Sequence, residues 1–116
     1  MIHTAKISKG LHRIRSQFLV RLTERRGKIL FSTLEASSTL EAREVAAHLD
    51  IVRDILHQIA GSAGILGFAD FGLEARRIEN DIGTVLEHPE RAIVSSELIE
   101  DLIAFTKTAD VMILQG

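Results

Sequence analysis

Six apolar residues in the middle of this chain, Val45, Leu49, Val52, Leu56, Ile59 and Ala63, step by four and by three. That spacing gathers side chains into one stripe of a helix and scatters them over both faces of a strand. It commits the segment to an amphipathic helix with one buried face. The same rhythm continues on both sides. Leu11, Ile14, Phe18, Leu22 and Ile29 predict a long first helix reaching about Leu34. Ser38 and Glu41 have the spacing of a capping box opening the second helix, which is expected to end near Gly64 to Gly67. Asp70 is the expected N-cap of a third helix that buries Phe71, Ala75, Ile78, Ile82 and Val85. The single proline, Pro89, predicts a linker, and Ser95 or Ser96 is the expected cap of a fourth helix burying Leu98, Leu102, Phe105 and Met112.

Strand signals are weak throughout. The expected fold is therefore all-α, an up-and-down four-helix bundle over residues 11–116. Residues 1–10 are expected to form an N-terminal tail, with room for a short extra helix. With 116 residues, 46% apolar and 26% charged, the chain has the size and balance of one globular domain. No apolar run approaches the roughly 18 residues a membrane span needs, and Met1 to Gly10 lacks the apolar core of a signal peptide. Cysteine is absent, which excludes disulfide and thiolate chemistry, and a cytoplasmic location is the expectation.

The net charge of −2 hides an uneven distribution. Lys6, Lys9, Arg13, Arg15, Arg21, Arg25, Arg26 and Lys28 face only Glu24 in the first helix. Such a run is either the solvated face of a long helix or a positive surface for an acidic partner. Nucleic acid is disfavoured because Phe18 is the only stacking residue within the run.

On a helical wheel centred on Val52, at about 100° per residue, His57 falls about 140° from the core stripe. Asp50, Arg53, Gly61 and Gly64 share its row, so His57 is expected to be exposed on a surface stripped of bulk. Gly61 lies opposite the core seam, where close packing inside the protein does not call for glycine. An exposed glycine one turn from an exposed histidine points instead to close approach by a partner. His48 lies about 40° from the core centre and is expected to be packed or partly buried. His48 and His57 face nearly opposite directions, and no inward Glu-x-x-His pair is present, so no metal site is expected. His3, His12 and His88 lie in a tail, a helix start and a linker.

The segment His57, Gly61-Ser62-Ala63-Gly64, Leu66-Gly67-Phe68, then Phe71, Ala75 and Ile78-Glu79 resembles the signature of histidine-containing phosphotransfer (HPt) domains. The resemblance covers about the middle quarter of the chain, and the helical order on either side agrees with it. It implies that His57 accepts a phosphoryl group from an aspartyl phosphate on a response-regulator receiver domain or hybrid histidine kinase, and passes it on. Arg53, Ala60, Gly61 and Gly64 would then border the docking face. Many family members carry lysine three residues after the histidine; this chain has Ala60 there, and Arg53 is the nearest basic residue one turn before His57.

Imidazole suits that task because its unprotonated nitrogen is nucleophilic near neutral pH. The receiver would supply magnesium and a lysine, so the chain itself needs no cofactor and would be a carrier rather than an autonomous enzyme. No nucleotide-binding glycine motif followed by lysine and serine or threonine is present. Two other readings compete: a non-phosphorylated helical adaptor that binds a signalling partner, and a basic nucleic-acid or membrane-surface binder built on the first helix. Neither the oligomeric state nor the direction of phosphoryl flow follows from the sequence.

Overall fold

The computed structural model describes the backbone of residues 2–116 and the side chains from Lys9 onward. Its four α-helices are α1 (Ile2–Ser38), α2 (Ala42–Ala63), α3 (Ala69–Leu86) and α4 (Ser96–Gln115). Short 3-10 turns at Gly64–Leu66 and Pro89–Arg91 sit between α2 and α3 and between α3 and α4. No strand occurs among the described residues.

One core joins the four helices. Leu22 and Ile29 of α1, Leu49, Val52, Leu56 and Ile59 of α2, Ile78 and Ile82 of α3, and Leu102 of α4 are fully buried. Each such side chain contributes about 1.5–3 kcal/mol relative to leaving it in water. Phe71 of α3 stacks on Phe105 of α4 with ring centroids 4.3 Å apart. The expected stripes of α2, α3 and α4 are the buried ones, although Val85 and Met112 are only half-buried.

α1 departs from expectation at both ends. It is helical from Ile2, through the stretch expected to be a tail, and continues past Leu34 to Ser38. At 37 residues it is about 55 Å long against about 33 Å for α2, from a rise of 1.5 Å per residue. Its N-terminal part therefore outruns its partners, and Leu11 and Ile14, read as core, are about half exposed. The side chains of His3 and Lys6 lie outside the described residues.

Two expected caps also differ. Ser38 remains inside α1 and donates its hydroxyl hydrogen back to the Leu34 carbonyl, so it is not free to cap α2. Glu41 occupies the cap position without a side-chain cap hydrogen bond, and the Thr39 hydroxyl before it accepts from the Glu41 amide at 3.2 Å and donates to the Glu44 carboxylate at 2.7 Å. Asp70 sits in the first turn of α3, one residue inside the helix, while Phe68 occupies the cap position without a side-chain hydrogen bond. There the acidic side chain still favours the positive end of the helix dipole. Ser95 does cap α4, its hydroxyl accepting from the Leu98 amide at 3.1 Å.

The connection from α2 to α3 places the site. Gly67 adopts φ +88°, a left-handed conformation that L side chains rarely enter, and its amide donates to the Gly64 carbonyl. The turn is pinned from outside by Phe68, which stacks on Phe18 at 5.4 Å with the Arg15 guanidinium over its ring at 5.0 Å. The chain reverses there, and α3 runs back along α2. At Gly72 the two helices touch: a Cβ would lie 3.2 Å from the Ala63 Cβ and 3.6 Å from the Gly64 amide nitrogen. No helix among the described residues is long and apolar enough to cross a membrane.

Candidate functional site

His57 projects from the middle of α2 with its side chain 68% exposed. The core seam of the helix lies on the other side, with Leu56 and Ile59 fully buried. The surface one and two turns beyond the ring is bare. A Cβ added at Gly61 or Gly64 would meet no atom within 4 Å, so neither position is held as glycine by a neighbour that its own Cβ would strike. Ala60 is half-buried, and Ile65 stands 82% exposed beyond them.

The antiparallel partner α3 supplies what the sequence reading did not assign. Glu79 lies beside His57, and the ring's Nδ1–H donates to Glu79 Oε2 at 2.7 Å. A carboxylate oxygen accepts only, so in the neutral imidazole this contact puts the proton on Nδ1 and the lone pair on Nε2. Nε2 has no hydrogen-bond partner among the described residues. Glu79 was visible in the sequence as part of the Ile78-Glu79 pair, but its role depends on register between helices. Its side chain is only 16% exposed, and Oε1 is buried without a hydrogen-bond donor. A buried acceptor left unpaired costs about 1–3 kcal/mol. The carboxylate thus occupies a position that core packing alone would not favour.

The cations around this face differ in their commitments. Arg53, one turn before His57, forms an ion pair with Asp50 at 2.6 Å. Arg77 of α3 turns away toward α4, bonding Glu74, Asp81 at 3.2 Å and Asp101 at 3.3 Å. The hydrogen bond from Arg77 holds the Glu74 carboxyl below its ordinary range. Arg76, its neighbour, is exposed and pairs with no described acid.

On the opposite flank of His57, Arg21, Arg25 and Lys28 of α1 line a groove against Ile51, Asp54 and Gln58 of α2. Arg25 donates to the Gln58 side-chain oxygen at 3.1 Å. The basic run of α1 does not form one surface. Arg26 turns to α4, where it pairs with Asp110 at 2.6 Å, while Lys28 pairs with Glu24 within its own helix.

The remaining histidines lie elsewhere. His48 is half-buried on α2, His12 is exposed on the projecting part of α1, and His88 lies 3.5 Å from Glu90 in the linker. No cluster of three metal-ligating side chains occurs among the described residues. Comparison of the chain with protein-family models, with curated proteins and with solved structures gives no significant match.

Proposed function

We propose that this chain is a phosphoryl carrier of a two-component phosphorelay, with His57 as the acceptor. One observation carries the reading: an exposed imidazole whose Nδ1–H is held by Glu79 while Nε2 faces solvent beside two bare glycines. In this reading the helices form an up-and-down bundle. The antiparallel pairing of α2 with α3 and the ties of Arg26 to Asp110 and Arg77 to Asp101 support that arrangement.

The Nε2 lone pair attacks phosphorus in the aspartyl phosphate of a receiver domain. The bond from phosphorus to the aspartyl oxygen breaks, and its electron pair leaves with the carboxylate. The ring keeps its Nδ1 proton and becomes a phosphorylated imidazolium. Its positive charge develops against Glu79, which both selects the reactive tautomer and compensates the product. Little else is asked of this protein, because phosphoryl transfer depends on in-line placement and on neutralising the equatorial oxygens. Gly61, Gly64 and Ala60 give the receiver's loops room to reach the ring. The receiver brings the magnesium ion.

Incubation with a panel of receiver domains phosphorylated by acetyl phosphate tests the reading. Label is expected on the wild-type chain at Nε2 of His57, and none on His57→Gln, with unchanged helical circular dichroism. Label persisting on His57→Gln, or binding of the phosphorylated receivers without any transfer, overturns it. The second outcome would leave the adaptor role.

A further inference from the structure

We propose that Arg76, on α3, is the cation that holds the phosphoryl group on His57. The inference rests on the phosphoryl-carrier reading and names a residue that reading does not assign. A phosphorylated ring places a dianion next to the Glu79 carboxylate. The imidazolium offsets one charge, and two negative charges remain in excess. Such a site needs a neighbouring cation that is not already neutralised.

Register decides which cation it is. Glu79 lies beside His57, and Gly72 lies beside Ala63 and Gly64. Interpolating between those two contacts along antiparallel helices sets Arg76 level with Ala60. Around α3, at about 100° per residue, Arg76 falls about 60° outward from Glu79, on the flank away from the core. It stands about 4.5 Å further along the axis, less than one helical turn. Ala60, level with Arg76, carries only a methyl group. Arg76 is exposed and pairs with no acid among the described residues, so its guanidinium is available to two phosphoryl oxygens at once. Its rivals are engaged: Arg53 with Asp50, and Arg77 with three acids facing α4.

Phosphoramidate phosphorylates exposed imidazoles without a receiver and so loads His57 independently of docking. The half-life of the His57 phosphoryl group is then followed by phosphorus NMR in the intact chain. Hydrolysis delivers water's oxygen to phosphorus and returns the P–N electron pair to Nε2. Bonded to two phosphoryl oxygens, the Arg76 guanidinium fixes the group against the ring and hinders the in-line approach of water, which lengthens the lifetime.

Arg76→Ala is expected to shorten the half-life about fivefold, the scale of one cation near a dianion in a partly solvated site. Arg76→Lys should retain most of the lifetime. Ala60→Lys introduced into Arg76→Ala should restore it, because the two positions are level across the helices. Arg53→Ala should have the smaller effect. An unchanged half-life in Arg76→Ala, an equal or larger loss with Arg53→Ala, or a failed rescue by Ala60→Lys overturns the assignment while leaving the carrier reading intact. If phosphoramidate does not load His57 at all, the carrier reading falls and Arg76 with it.

Discussion

Replacing Glu79 by glutamine removes one negative charge and keeps the size and the accepting oxygen. In the unmodified protein the charged acceptor holds Nδ1–H at 2.7 Å. Hydrogen bonds to charged groups contribute about 1.5–3 kcal/mol against about 1 kcal/mol for neutral pairs. The ring is 68% exposed, so water and salt screen the interaction, and the lower end of the difference applies. About 1 kcal/mol of stabilisation of the developing imidazolium is then lost, which slows phosphoryl acceptance by about fivefold.

Stability should respond differently. The buried Oε1 has no donor, so the native carboxylate already carries a desolvation cost that glutamine relieves in part. The two effects oppose each other, and urea unfolding should shift by less than about 1 kcal/mol in either direction. Glu79→Ala goes further, because the ring then exchanges freely between tautomers and spends time with Nε2 protonated. Rapid-quench transfer from a phosphorylated receiver measures the rate, nitrogen NMR of the imidazole reports the tautomer, and urea titration reports stability. Equal transfer rates in wild type, Glu79→Gln and Glu79→Ala would refute the role of the carboxylate. So would a stability loss above about 2 kcal/mol that accounted for the slower transfer.

Two further perturbations probe the docking face and the framework. At Gly61 a Cβ meets open space, so Gly61→Leu, which removes a helix-interior glycine, should raise stability by about 0.5–1 kcal/mol while blocking transfer from the receiver. Unimpaired transfer in that variant would refute the docking geometry. Gly72→Leu presses on Ala63 where the two helices touch and should destabilise by about 1–3 kcal/mol in urea unfolding. A neutral result would place the α2–α3 contact wrongly. Arg77 holds the Glu74 carboxyl below its ordinary value of 4.5. A carboxyl depressed on folding stabilises fully above its unfolded value and loses that contribution as pH falls through the folded one. Arg77→Gln should therefore flatten the loss of stability below about pH 4.5. The change should stay under about 1 kcal/mol because both side chains are nearly half exposed. An acid limb identical to wild type would show that the pair contributes nothing.

Much of the architecture was legible in the sequence because helix formation and its buried face are local properties. Residues three and four apart share a face whatever lies opposite, so the seam from Val45 to Ala63 and the outward direction of His57 follow from spacing alone. Short-range chemistry likewise placed a helix end between Gly64 and Gly67 and a cap at Ser95 or Ser96, and the structure resolves these to Gly67 and Ser95. The same local logic misplaced the Ser38 cap and the core role of Leu11 and Ile14, because it carries no information on where a helix outruns its neighbours. Contacts between helices depend on how far one slides along the other, and that is set jointly by all the packed side chains and by close approaches such as Gly72 on Ala63. Only the tertiary structure therefore decided that Glu79 meets His57, that Arg77 turns to Asp101 on α4, and that Arg76 stands level with Ala60.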